Sequence, residues 1–468
     1  MFLSFFLKKR YLYQYLIGFS GCISVLTSGI NLSWTSPYLP KILNGTYTNL
    51  SMTNDEGSWC AVMPLVGAFP GAFLTIFIVD RIGRKISTLI MAPIALASFI
   101  LLAFSNNVFL IFFVRFIIGA VEGGLYTVLP MYLGEISDPQ IRGILTASMG
   151  TSSIAGALLI NILGFHYSIF TSSLLCSIVP IVHFLTFIFV PESPYYLIKN
   201  NKIDDAKNSL KILRASINVD DELNELKLIV ARQEFEEKPK MTNLFTVKSN
   251  RRALLIFIII NCTRKFCAKN PIQFYTSSIF HSAKGSISAN SSVIVFLSIE
   301  FISAILGVFL LDKTGRRPLL IVSTTICAIT LHLTGLHFIF QDTYPSYLSM
   351  FNWLPLTSLT IYNIFYTVGL ELAQTVYLGE LFPTNIKGKA LGIAEMLSVI
   401  NSTIVSKIFQ ILGDNFGLHY SFFFFSGCCV VGLLLVIKFV PETKNKTLEE
   451  IQLYLIHKTA SKNPNNSS

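Results

Sequence analysis

Twelve runs of mostly apolar residues follow one another along this 468-residue chain, at 12–33, 58–79, 87–105, 108–130, 143–164, 169–190, 253–280, 290–311, 318–339, 347–378, 389–412 and 419–440. An α-helix needs about 20 such residues to cross a hydrocarbon layer about 30 Å thick. The expected fold is therefore an all-α membrane protein with twelve transmembrane helices. Charge supports this: 13% of residues are charged and 52% hydrophobic, against about 25% charged in soluble domains. A soluble enzyme, a disordered chain and a nucleic-acid binder are excluded. The expected partners are the lipid bilayer and a small solute, in a monomer that needs no metal or cofactor.

Lys8, Lys9 and Arg10 precede the first run. That run is longer than a signal-peptide core and lacks a small-residue cleavage site, so it reads as an uncleaved span. With the N-terminus inside, 28 of the 36 Lys and Arg fall in inside segments, and only Lys41 and Lys284 fall in outside loops. The positive-inside rule then places both termini in the cytoplasm, which also accounts for the net charge of +10. A cell-membrane location is expected. Asn44-Gly-Thr46 and Asn49-Leu-Ser51 lie in the long outside loop 34–57 and are candidate glycosylation sites. The sequons at Asn261 and Asn401 fall inside spans, and those at Asn445 and Asn466 fall in the tail.

Residues 191–252 form the one large segment outside the apolar runs. Apolar residues at helical spacing among charges predict two amphipathic helices, Ile203–Arg214 and Asp220–Glu236, with Asp220 as N-cap. The chain thus divides into a first half, 1–190, a helical linker, 191–252, a second half, 253–440, and a polar tail, 441–468.

The two halves repeat one another. Asp80-Arg-Ile-Gly-Arg-Lys85 returns 232 residues later as Asp312-Lys-Thr-Gly-Arg-Arg317. Glu135 with Arg142-Gly143 returns 245 later as Glu380 with Lys387-Gly388, and Pro191-Glu-Ser-Pro194 returns 250 later as Pro441-Glu-Thr443. Two six-helix halves in parallel are the economical reading, and repeated halves of this kind enclose a site exposed alternately to each side. Basic clusters alone would serve as topology signals, but that does not explain acids recurring among the bases at fixed spacing. Arg pairs bidentately with carboxylates, so Arg84, Arg142, Arg316 and Arg317 beside Asp80, Glu135, Asp312 and Glu380 are expected to form ion pairs that latch the halves when the inside is closed. Gly83 and Gly315 suit tight reversals between spans.

These residues resemble the sugar porter branch of the major facilitator superfamily. The resemblance rests on Asp80 to Lys85, Arg115 with Gly119 and Gly123, Pro130-Met-Tyr132 with Glu135 and Arg142-Gly143, Asp312 to Arg317, Glu380-Leu-Phe-Pro383 and the ending Pro441 to Glu450. Pro191-Glu-Ser-Pro-Tyr-Tyr196 is similar to the facilitated trehalose transporter group. A major-facilitator-like fold and alternating-access transport of a sugar, trehalose or hexose, are what the resemblance implies.

The departures cluster at the positions where that family holds its sugar. The span-seven Gln-Gln-x-x-Gly-x-Asn pattern reads Arg264-Lys265-Phe-Cys-Ala268-Lys269-Asn270 here, aligned through Phe274-Tyr275. The span-five Gln falls on Gly150, and the span-ten Gly-Pro-Gly-Pro-x-Pro-Trp run falls on Gly369 to Thr375, with Glu371 at a family Gly. Proton-coupled relatives carry an Asp in span one where this chain has Asn31, which cannot titrate; facilitated diffusion is therefore expected. By the resemblance, Asn31, Gly150, Arg264, Asn270, Phe274, Tyr275, Glu371 and Thr375 are the candidate solute site. Two other readings stand beside sugar transport: a carrier of another polar or anionic solute drawn by Arg264, Lys265 and Lys269, and a nutrient sensor that transports nothing. Arg264 also needs a partner at membrane depth, and Glu371 is the expected one among Glu300, Glu371 and Glu395.

Overall fold

The structure is a computed structural model that describes residues 9–46, 50–235, 243–344, 348–382, 384–444, 450–451 and 454. Asn49, the sequons at Asn445 and Asn466, most of the tail, and the side chains of Asp312, Lys387 and Glu395 lie outside the described residues. The chain forms two compact units, Met1–Glu237 and Lys238–Ser468. Each unit is helical, with no strand among the described residues.

The first unit carries spans one to six as Lys9–Ser33 continued by Thr35–Leu43, then Asn54–Ile82, Arg84–Ala103, Val108–Ile136, Pro139–His166, and Ile169–Cys176 with Ile178–Phe187. Span one thus runs ten residues beyond the apolar stretch that predicts it, and the outside loop shortens to match. Starts are set by local chemistry. Thr53 and Glu56 form a reciprocal capping box at the head of span two, and Asn107 caps span four, each satisfying orphan N–H groups. Spans two and three meet at Gly83 (φ +94), a left-handed turn that favours glycine.

Spans two and four touch backbone to backbone. A Cβ on Gly67 or Gly71 would collide with the main chain of Phe116 and Ala120, and one on Gly119 or Gly123 would collide with that of Pro64 and Ala68. Small residues four apart let membrane helices approach this closely where no hydrophobic drive exists between them.

The linker helices form at Ile203–Arg214 and Asp220–Phe235. They bury Ala206, Leu210, Leu223 and Val230 against Tyr196, Leu197 and Ile198. Asp220 is not an N-cap. It is the first helical residue and its carboxylate holds Lys207 at 2.6 Å, a hydrogen bond that lowers its pKa below the ordinary carboxylate value. Arg214 anchors the linker to the end of span four. It is almost buried, binds Glu222 bidentately, and donates to the carbonyl of Ile136 at the end of span four.

The second unit carries spans seven to twelve. Spans eight, nine, eleven and twelve are single helices, Ala289–Thr314, Arg316–Thr343, Thr384–Phe416 and Leu418–Phe439. Spans seven and ten are broken. Ten helices among the described residues are long and apolar enough to cross a membrane on their own, and these two are the exceptions.

Span seven is not the continuous run that its apolarity predicts. It falls into Lys248–Lys265, Lys269–Phe274 and Thr276–Ala283, with Ala268 at φ +65. Pro271 has no N–H to return to the carbonyl of Cys267, and proline disfavours helical backbone in the residue before it. The freed Cys267 carbonyl is taken by the Tyr362 hydroxyl at 2.8 Å, and that of Arg264 by Tyr366 at 3.4 Å. Irregular backbone at membrane depth is tolerated when neighbouring groups satisfy it in this way. Both tyrosines belong to span ten, which runs Leu354–Phe365, then a π-helical stretch Tyr366–Glu371, then Leu372–Leu381. Such π segments are frequent at functional sites.

Candidate functional site

Each unit carries an acid–base cluster where its basic motif meets its acids. In the first, Gly83 turns the chain so that the Glu192 carboxylate accepts the backbone N–H groups of Arg84 and Lys85 at 3.0–3.1 Å. A carboxylate there offsets both the orphan donors and the positive end of the helix. The Arg84 guanidinium is buried and bridges Asp80 at 3.2 Å and Glu135 at 3.0 Å, with its charge 5.3 Å from the Tyr196 ring. Ser193 donates to the second oxygen of Glu135, and Lys199 meets the second oxygen of Asp80 at 3.1 Å.

The second unit repeats the arrangement. Glu442 accepts the backbone N–H groups of Arg316 and Arg317 at 3.0–3.1 Å, beside Gly315 at φ +92. Burial pushes the Glu442 carboxyl up, but the backbone N–H groups of Lys444, Arg317, Arg316 and Thr443 outweigh it and hold its pKa below the ordinary value. Arg316 meets Glu380 at 3.2 Å. The Tyr132 hydroxyl donates to the Pro191 carbonyl and that of Tyr377 to the Pro441 carbonyl, both at 2.7 Å. Tyr377, Glu192 and Glu442 are absent from the candidates drawn from the sequence. The constant offset that matches Glu135 with Glu380 also matches Tyr132 with Tyr377.

Among the described residues, two of the expected arginines make no ion pair. Arg142 is exposed in the first turn of span five and reaches only the Ser137 carbonyl, at 3.5 Å, because Arg84 and Ser193 already occupy Glu135. The Arg317 side chain donates to the Ile437 carbonyl at 2.6 Å, while its backbone N–H serves Glu442. The observed pairs each close within one unit, so each cluster fixes the helix ends of its own half.

The candidate solute residues scatter more widely. Arg264 of span seven pairs with Glu371 at the end of the π-helical stretch, Nη1 to Oε1 at 3.8 Å. This is the partner the sequence predicts for Arg264. Thr375, one turn on, is exposed and donates to the Glu371 carbonyl. Asn270 is half-buried, Phe274 is buried, and the Tyr275 ring lies stacked on Phe409 with 6.3 Å between centroids. Gly150 faces open space. In the first unit Asn31 is buried with no partner for its Nδ2 among the described residues. The same holds for one side-chain atom each of Ser28, Trp34 and Thr35, and for both terminal nitrogens of Arg115. Arg115 is fully buried, donates from Nε to the Cys60 carbonyl at 2.8 Å and lies over the Trp34 ring.

The Arg264–Glu371 pair is weaker than a buried ion pair, since the Glu371 side chain is 41% exposed. Removing Arg264 leaves a carboxylate that the protein does not enclose. Arg264→Ala is therefore expected to cost about 1 kcal/mol and to leave the protein folded, a result that thermal unfolding in detergent would check. The pair buried at membrane depth is another one, Lys269 with Glu300 at 2.7 Å, and the sequence names both residues without joining them.

The family model for "Sugar (and other) transporter" matches residues 9–455. A facilitated trehalose transporter homolog of Drosophila simulans is 30% identical over 441 residues, covering 94% of this chain and 90% of the relative. The facilitated trehalose transporter of Polypedilum vanderplanki is 30% identical over 447 residues, covering 94% and 88%. Among solved structures, the proton:xylose symporter XylE bound to 6-bromo-6-deoxy-D-glucose aligns with TM-score 0.75 at 22% identity, over 95% of this chain and all of that one. The inward-open xylose transporter XylE from E. coli aligns with TM-score 0.78 at 22% identity, over 94% and 99%. The fold is thus that of the major facilitator superfamily, with twelve helices in two halves. Since the family match extends over all but the chain's two ends, this multi-pass membrane protein belongs to the sugar (and other) transporter family.

Proposed function

We propose that the protein carries a sugar, trehalose or a hexose, across the cell membrane by alternating access and facilitated diffusion, working as a monomer with both termini in the cytoplasm. The observation that carries this reading is the twice-built cluster of Arg84, Glu135 and Glu192 and of Arg316, Glu380 and Glu442. Acid–base clusters repeated at equivalent helix ends of the two halves suit a cytoplasmic gate of the alternating-access kind. Asp80, Arg142, Asp312, Arg317 and Lys387 are the further proposed gate positions. Asn31, Gly150, Arg264, Asn270, Phe274, Tyr275, Glu371 and Thr375 are the proposed solute positions. The unspent polar atoms of Ser28, Asn31, Trp34, Thr35 and Arg115 favour a solute rich in hydroxyls. Asn44 is exposed at the end of span one and is the proposed glycan acceptor, with Asn49, five residues on in the sequence, as the second.

An anionic solute is less favoured. Arg264 and Lys269 already hold carboxylates, which cancels much of the charge that would attract an anion. Uptake of labelled trehalose, glucose and a panel of organic anions into transporter-null cells decides the matter. Saturable sugar uptake is expected, and its initial rate should be indifferent to a protonophore, because a neutral amide at Asn31 offers no proton to couple. Anion uptake without sugar uptake would overturn the solute. Uptake of nothing on the panel would favour a sensor. A rate that collapses with the proton gradient would overturn facilitated diffusion and point to a buried acid such as Glu122.

A further inference from the structure

We propose that Lys269, Glu300 and Asn363 form a positioning triad that holds the short helix Lys269–Phe274 in register for solute binding; the proposal rests on the transporter reading above. The three side chains close a ring between spans seven, eight and ten. The Lys269 ammonium meets Glu300 Oε1 at 2.7 Å and donates to Asn363 Oδ1 at 2.6 Å, and Asn363 Nδ2 donates to Glu300 Oε2 at 2.9 Å. All three residues are buried. The rings of Phe296 and Tyr366 lie 5.5 and 5.8 Å from the ammonium. Both charges are thereby paired, and both carboxylate oxygens are used.

The need for such an anchor follows from the breaks in span seven. A helix of six residues gains almost nothing from its own hydrogen bonds, since the first turn costs more than it returns. Its orientation must come from outside. Pro271, Ile272 and Phe274 bury apolar surface, which sets depth but tolerates rotation. Lys269 is the fragment's one charged residue, and charge-assisted hydrogen bonds are directional. Asn270 and Phe274, two of the proposed solute positions, ride on the same six residues.

A buried ion pair often adds no net stability over apolar residues of similar volume, whereas removing one partner is strongly destabilising. This separates positioning from mere stabilisation. The double variant Lys269→Met with Glu300→Met should reach the membrane with a melting temperature close to the parent's, yet raise KM for sugar at least tenfold. The exchange Lys269→Glu with Glu300→Lys should bring KM back towards the parent value, and each single substitution should fare worse than the exchange in surface level. A reading that needs no transport comes from Asn270→Cys. A water-soluble maleimide should label it at least fivefold faster or slower in the double-Met background than in the parent. Parental KM and parental labelling in the double-Met protein would overturn the triad. If the parent carries no sugar, the function proposed above fails on its own, and the labelling rate still decides the triad.

Discussion

Replacing Arg84 by alanine should destabilise the first unit by about 3–5 kcal/mol, whereas the equivalent Arg316→Ala should cost the second unit about 1 kcal/mol. The two arginines stand at matching points of the repeat, so the difference comes from burial. The Arg84 side chain is 3% exposed and faces a Glu135 that is 17% exposed, while Arg316 and Glu380 are 14% and 27% exposed. Arg84 serves Asp80, Glu135 and the Val79 carbonyl together. Without it, Glu135 keeps only Ser193, and a half-desolvated carboxylate loses its counter-charge. Glu380 has one oxygen with no partner among the described residues. Thermal unfolding of the two purified variants would compare the costs. Labelling of introduced cysteines from the side expected to be cytoplasmic would report whether either variant stays open inward, as a gate requires. Equal losses in the two variants would remove the asymmetry. Unchanged accessibility in both would reduce the clusters to topology signals.

Much of this was legible in the residue pattern, and the limits of legibility have physical causes. Apolar runs mark spans because the bilayer admits few other structures, and the linker helices were legible because amphipathic spacing survives without tertiary context. The breaks in spans seven and ten were not, although Pro271 was a visible signal for the first. Proline is common in membrane helices, and Pro64, Pro70 and Pro130 lie inside unbroken ones. What separates Pro271 is the presence of Tyr362 and Tyr366 to receive the freed carbonyls, a tertiary fact. The same holds for the pairing of charges. Glu371 was identifiable as the partner of Arg264 because both depart from the family pattern at once. Lys269 and Glu300 were not identifiable as partners, since the side chain that joins them, Asn363, is an ordinary polar residue in an apolar run. In the repeat, acids and bases drew attention by their charge, but Glu192 and Glu442 act on backbone N–H groups, which no residue letter displays.

Gly123→Leu should leave no folded protein at the membrane, the largest effect expected of any single substitution outside the charged clusters. Gly67, Gly71, Gly119 and Gly123 form two facing small-xxx-small pairs, and a side chain at any of them meets main chain rather than another side chain. Ordinary overpacking costs about 1–3 kcal/mol because neighbouring rotamers give way. Backbone cannot give way by rotation, so spans two and four would have to separate and lose the close contact along their shared face. In a bilayer no hydrophobic drive repairs that loss, since lipid tails solvate the exposed surface as well as the partner helix does. Gly150→Leu is the control, because a Cβ there has nothing within 4 Å and helix propensity favours leucine over glycine by about 1 kcal/mol. Fluorescence-detected gel filtration of tagged variants separates the two cases: Gly150→Leu should elute as a monodisperse peak at the parent's level, and Gly123→Leu should elute as aggregate or be missing. A monodisperse Gly123→Leu at parental yield would mean that spans two and four are farther apart in the membrane than their glycines require.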